Sequence, residues 1–345
     1  MASVKSQKLK INYFRIVVCI VFVILAFVAN ERYGSSSLEC ESEFEKQESS
    51  AMRFQHKKNA KSLKYWGSCL NNWHKKGNLF AMNNVFNRLG YETVNGLENE
   101  DWDFLWTIEY PFLPENLETR HLYDKVVKPL ESHQKINHVP GMNYVTNKSW
   151  MSTHNRNIGA ILQGFLFPSD LESFQEFVKE NPDARFVVKN KDNLGVKLVN
   201  ISDINYGESE VFYQHFMERP LLIDDRAMDF SVYFLVSSIN PLKIYRFTND
   251  ILLRFCKDPY YPFDSEITSK YVISDIRVVP VDMPSLSYNI RQDFSVLNSI
   301  AKVFHQKGFN IEDLWPKIDK AAVNLILQNE HHMVDTVSWM HKCER

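Results

Sequence analysis

The longest unbroken apolar stretch comes first: fourteen residues from Ile16 to Ala29, preceded by Lys5, Lys8, Lys10 and Arg15. It falls short of the ~20 residues of a spanning helix but has the length of a signal or anchor core. Ile11, Tyr13 and Phe14 extend it to a marginal span, and Phe27 stands where a cleavage site wants a small residue. The pattern therefore predicts an uncleaved transmembrane anchor over 16–29 behind a short basic segment, 1–15. Residues 30–62 mix Ser, Glu, Lys and Gln with few apolar positions and read as a solvated stalk. A folded domain is expected over 63–345.

Within that domain the apolar period changes from two to helical and back. Asp101–Tyr110 is a β-rich aromatic run closed by Pro111. Residues 171–178 carry apolar positions at helical spacing and stop before Asn181-Pro182. Residues 185–189 read as a strand whose end presents Lys189. Three strands, 229–238, 242–247 and 251–256, are separated by Ile-Asn-Pro and Thr-Asn-Asp turns and predict an antiparallel meander. A long helix is expected over 311–333, with Leu314, Ile318, Val323, Ile326 and Leu327 on or near one face. The sum is an α+β protein with an antiparallel sheet meander, preceded by the N-terminal anchor.

Composition narrows the function classes. Of 345 residues 44% are hydrophobic and 24% charged, which excludes disordered and coiled-coil classes. The 40 Lys and Arg against 42 Asp and Glu leave −2, so a surface built throughout to grip nucleic acid is not expected. Only 11 glycines make a glycine-rich phosphate loop a poor expectation. Five scattered cysteines, odd in number and without C-x-x-C spacing, predict neither a disulfide framework nor a zinc site. Four cations before the anchor and three after it (Arg32, Lys46, Arg53) favour a luminal domain.

Individual residues suggest chemistry. Lys189, with Lys191 and Gly195 beyond it, suits a nucleotide phosphate, or is an exposed loop lysine. Asp229 opens a strand that otherwise reads as buried, and Arg254 lies inside an apolar strand; each needs a partner, a ligand or a structural ion pair. Asp101-Trp-Asp103 has the Asp-x-Asp spacing that holds a divalent metal on a nucleotide-sugar, which in a luminal domain would indicate a glycosyltransferase. His331 and His332, about 100° apart on a helix, do not share a metal-facing side.

Taken in order, these segments resemble the tubulin-tyrosine-ligase-like family. Asp101–Phe112 is similar to its Trp-x-x-Leu-Trp strand, Ile136–Gly141 to its Asn-His-Phe-Pro-Gly turn, with Lys148 following at the matching place. Phe167–Phe174 resembles the Leu-Pro-x-Asp-Tyr element, Phe186–Lys189 the Ile-Val-Lys-Pro strand, and Tyr213–Asp224 the Gln-x-Tyr-Ile hinge. The resemblance implies an ATP-grasp fold and an ATP-dependent glutamate ligase of polyglutamylase type that acts on tubulin C-terminal tails. Its chemistry is acyl phosphate formation, then attack by an amine, with ATP and magnesium as cofactors. It assigns ATP contacts to Lys148 and Lys189, the adenine wall to Gln214, His215, Phe216 and Met217, the ribose side to Asp229, and the incoming amino acid's carboxylate to Arg254. It also favours the cytosolic side, where microtubules lie, against the luminal side given by the charge count.

The departures matter too. Asn190–Gly195 is shorter than the family's loop and keeps one glycine, and Ala227 and Ser231 stand where the family has cations. The chain stops at Arg345, before the strand that carries the family's metal-binding Glu and Asn, so the magnesium site is expected to be incomplete. A membrane-tethered, catalytically inactive binding module is the alternative, and the luminal glycosyltransferase a third.

Overall fold

The structure is a computed structural model that describes residues 18–21, 64–68, 78–94, 101–107, 110–112, 124, 131, 133–190, 195–239, 241–274 and 277–342. The basic segment 1–15 and the stalk 30–62 lie outside these residues. Two compact units divide the chain: residues 23–141 with 334–345, and residues 142–333 with 1–22.

The expected anchor is corrected. Val18–Val21 (β1) is a strand in parallel register with Phe230–Tyr233, and among the described residues no helix is long and apolar enough to cross a membrane. The single-pass membrane protein, its membrane partner and the choice between luminal and cytosolic faces fall with the anchor. The physical reason lies in the run itself: Val, Ile and Val are β-branched and stiff at χ1, and an apolar stretch below spanning length serves a buried strand equally well.

In the first unit, Lys64–Ser68 (β2), Asn78–Arg88 (α1), Glu92–Thr93 (β3), Phe104–Thr107 (β4) and Lys135–Ile136 (β5) build a parallel sheet of order β3-β2-β4-β5. The aromatic run thus contracts to a four-residue strand. Trp106 packs with Met82 and Phe86 of α1, and Leu105 with Trp102. The Asp-x-Asp pair serves this sheet. The Asp103 carboxylate accepts the Lys64 amide at 2.7 Å, and Asp101 pairs with the Lys64 ammonium at 2.7 Å. Two carboxylates engaged on one β2 residue have the geometry of a structural clamp, not of a sugar-nucleotide metal site. Asn137 continues the ladder with its side chain, accepting from the Thr107 amide and donating to the Thr107 carbonyl, both at 2.9 Å.

In the second unit, Asn143–Thr146 (α2) and Lys148–His154 (α3) precede Gly164–Phe165 (β6), Leu171–Glu180 (α4), Arg185–Asn190 (β7), Val196–Asn200 (β8) and Val211–His215 (β9). The four strands form an antiparallel sheet of order β6-β9-β7-β8. The amphipathic α4 lays Phe174 and Phe177 on one face, where they meet Phe165, Phe186 and Tyr213. Gly164 is required by close approach, since a Cβ there would stand 2.8 Å from the Cβ of buried Ser152 on α3. Gly164→Ala is expected to cost about 1–3 kcal/mol by overpacking, read as a lower urea midpoint, with Ser152→Gly restoring part of it.

Leu222–Ile223 (β10), Arg226–Ile239 (β11), Leu242–Arg246 (β12) and Leu252–Phe255 (β13) make the other antiparallel array. The β10–β11 hairpin turns through Asp224 and Asp225, both left-handed at φ 46° and 62°, the conformation a two-residue hairpin loop demands. The expected meander is replaced by a different order: β12 and β13 both pair with the long β11, and β13 does not pair with β12. The cause is the length of β11, whose fourteen residues offer successive stretches of one edge to the two shorter strands.

Pro284–Asp293 (α5), Val296–Gln306 (α6) and Trp315–Lys342 (α7) follow. Leu286, Ile300, Val303, Phe304, Ile318 and Ala322 cover Phe230, Val232, Phe234, Leu253 and Phe255 of the sheet. Val323 and Leu327, expected with the apolar face of α7, are 36% and 50% exposed, whereas Ala322 and Ile326 are buried. Buried Asn329 of α7 donates to Asn155 Oδ1 at 2.8 Å, just beyond α3. Two antiparallel sheets with helices packed against them make this an α+β protein.

Candidate functional site

Strand pairing decides which side chains share a face. Lys189 of β7 lies opposite Phe212 of β9, and Val187 opposite Gln214, so Arg185, Val187, Lys189, Phe212, Gln214 and Phe216 point away from α4. His215 takes the other side, its ring edge-on to Phe177 at 5.1 Å. Of the expected adenine wall, Gln214 and Phe216 therefore share the lysine's side, while the His215 side chain belongs to the α4 core. Met217 continues the chain beyond β9.

The lysine's position is specified. Lys189 Nζ donates to Gln214 Oε1 at 2.7 Å and sits 5.9 Å above the Phe212 ring. The Gln214 amide also donates to the Leu162 carbonyl at 3.1 Å. Lys148, the first residue of α3, is exposed, and its helix is capped by Asn147 Oδ1 accepting the Trp150 amide at 2.9 Å.

On the second sheet the two remaining candidates meet each other. Asp229 of β11 and Arg254 of β13 are register partners, joined in a two-pronged pair with Nε to Oδ1 at 2.9 Å and a terminal nitrogen to Oδ2 at 2.7 Å. The ribose contact and the carboxylate contact implied by the resemblance are thus held as one ion pair, the side chains 11% and 26% exposed. Ala227 and Ser231, on the same side of β11, are buried at 7% and 2%.

The segment after β13 supplies residues that sequence reasoning missed. Phe263 and Tyr271 pack both against Val187, Leu198 and Phe216 on the β7–β8–β9 side and against Ala227 of β11 with Cys256 and Tyr260 just beyond β13. Arg185 fastens this contact, its guanidinium 4.9 Å from the Phe263 ring centre and paired to Glu218 at 2.7 Å. The Tyr260 hydroxyl donates to the Glu218 carbonyl at 2.7 Å, and burial pushes its pKa up. Where the family has a cation, Ala227 therefore meets an aromatic filling. The aromatic density of Tyr260-Tyr-Pro-Phe263 was the available signal.

Burial, reinforced by the Asp229 charge, pushes the Cys256 thiol up to about 12. Native protein is therefore expected to leave Cys256 unmodified by iodoacetamide at pH 8, and urea to expose it, as mapped by peptide mass spectrometry. Because the raised group is neutral when protonated, its contribution to stability is complete below the ordinary thiol pKa. It is lost as pH climbs toward 12.

A strand-end lysine on one antiparallel sheet and a carboxylate–guanidinium pair on the next, joined by an aromatic filling, define the class of site. The sequence profile of the tubulin-tyrosine ligase family matches residues 127–343, more than half of the chain, and the chain belongs to that family. Probable tubulin polyglutamylase ttll-15 of Caenorhabditis elegans is 29% identical over 246 residues, 70% of this chain and 47% of that protein. Tubulin polyglutamylase ttll6 of Danio rerio is 24% identical over 262 residues, 69% of this chain and 31% of its own length. Tubulin monoglutamylase TTLL4 of Mus musculus is 22% identical over 256 residues, 69% of this chain and 20% of its own. The chain thus spans less than half the length of these curated relatives.

Proposed function

We propose that this chain carries the nucleotide and amino-acid side of an ATP-grasp glutamate ligase acting on tubulin tails. The observation that supports this most is the arrangement of Lys189 and Gln214 on one sheet, with Phe263 and Tyr271 linking that sheet to the one bearing Arg254. The relatives named as tubulin polyglutamylases and a monoglutamylase supply the amino acid and the acceptor in this reading.

The residues present suit a polyphosphate in part. Lys189 offers a fixed ammonium at a strand end, the point charge that a phosphate oxygen accepts best. Bound ATP would supply the phosphoryl group that makes a carboxylate oxygen a competent leaving group. Phe216 and Met217 would line the base, and Lys148 and Lys189, the latter held by Gln214, would meet phosphates. Arg254 would orient the amino acid's carboxylate, with Asp229 fixing the plane of the guanidinium. The buried face of the second sheet would keep water from the reacting carboxylate. Among the described residues no group of three His, Cys, Asp or Glu could hold a metal ion, so no step is assigned to magnesium.

The test is glutamate transfer by the full chain to purified tubulin, followed with radiolabelled glutamate. ATP-dependent incorporation is expected, falling at least about tenfold in Lys189→Ala through loss of one charge-assisted contact. Background incorporation from a folded sample that still binds tubulin would replace the ligase with a binding module. Manganese-dependent sugar transfer is not expected, because Asp101 and Asp103 are engaged with Lys64.

A further inference from the structure

The hinge glutamine has two hydrogen bonds that together fix its role. An ammonium can only donate, so the oxygen of the Gln214 amide must face Lys189. A backbone carbonyl can only accept, so the amide nitrogen must face Leu162. The orientation is thereby settled by chemistry at both ends, at 2.7 Å and 3.1 Å. Lys189 and Gln214 are diagonal neighbours on adjacent strands, within reach for a long side chain. Leu162, which lies 52 residues before Gln214, anchors the amide to the segment entering β6.

We infer that Gln214 is the positioning residue of Lys189: it holds the ammonium by a neutral oxygen and takes no part in reading the base. The inference rests on the proposal that Lys189 meets phosphate. A neutral acceptor suits this task, because it restricts a side chain rich in rotamers without adding negative charge beside it. The Phe212 ring beneath the ammonium works in the same direction. A glutamate at 214 would keep the geometry and add a negative charge to the place where phosphate has to bind.

The experiment is isothermal titration of the full chain with Mg-ATP and with adenosine. The variants are Gln214→Met, Gln214→Glu, Lys189→Met and the Lys189→Met/Gln214→Met double, each checked by thermal melting. Gln214→Met is expected to weaken Mg-ATP about three- to tenfold, the worth of one hydrogen bond, and to leave adenosine unchanged. Gln214→Glu, which keeps the size of the side chain and guards against a misfolded Met variant, should weaken Mg-ATP further while sparing adenosine. In the Lys189→Met background the Gln214→Met change should add nothing, because the two residues act as a unit. Equal loss of ATP and adenosine, or losses that multiply in the double variant, would overturn the inference and leave the phosphate role of Lys189 intact. Failure of the unaltered chain to bind Mg-ATP would overturn both.

Discussion

Asp229→Ala is expected to lower stability by about 2–3 kcal/mol, an unusual cost for removing one carboxylate. The pair it breaks is two-pronged, in register and largely sheltered, with Asp229 11% and Arg254 26% exposed. Removing one partner of a buried pair typically costs about 3–5 kcal/mol because the other charge is stranded, and the remaining exposure of Arg254 discounts this. Replacing both residues with apolar side chains, as in Asp229→Leu/Arg254→Leu, should recover most of the loss, since desolvation of the charges disappears with them. Urea melts of the two single variants and the double form a cycle that reads the coupling directly. If Asp229→Ala melts within about 0.5 kcal/mol of the parent, the pair is not structural and Asp229 is available for a ligand. The functional corollary separates two roles. Under the proposed ligase function, an Asp229 that only presents Arg254 leads to the expectation that Asp229→Asn raises the KM for glutamate more than that for ATP.

Phe186→Ala is expected to have the larger effect, about 3–5 kcal/mol. The ring is fully buried and meets Phe174, Phe177 and Phe165 at centroid distances of 5.3, 5.9 and 6.1 Å. Deleting it removes the central member of an edge-to-face and tilted cluster and leaves a cavity that α4 closes only by moving off the sheet. Against a total stability of about 5–15 kcal/mol, such a loss unfolds a substantial fraction of a marginal protein. Phe294→Ala is the control, because that ring is 87% exposed and its loss should stay within about 0.5 kcal/mol. Similar urea midpoints for the two variants would show that the α4 cluster does not hold the sheet.

Local pattern and long-range pairing differed in how far they could be read from sequence. Helix α4, strand β7 and the long β11 follow from spacing and turn residues, and their limits match expectation to within three residues. Lys189 at the end of a strand was legible for the same reason. The partnership of Asp229 with Arg254 was not, because it depends on which residue of β13 lies opposite which residue of β11. A slip of one residue would have pointed them to opposite faces. The apolar run at 16–29 misled because hydrophobicity alone does not separate a spanning helix from a β-strand. Four of its β-branched-rich residues find a strand edge on β11. The aromatic filling by Phe263 and Tyr271 escaped because a segment without regular structure has no period to read.

The amide pair of Asn155 and Asn329 gives the last point. An apolar stripe on α7 fixes which way the helix is rotated but says little about where along its axis it stops, since one greasy turn resembles the next. A buried hydrogen bond at 2.8 Å between residues 174 apart works as an index mark, satisfied at one axial setting and broken one turn away. Anyone grafting α7 onto another scaffold would have to carry Asn155 along with it, or receive a helix that packs well in several places and belongs in none.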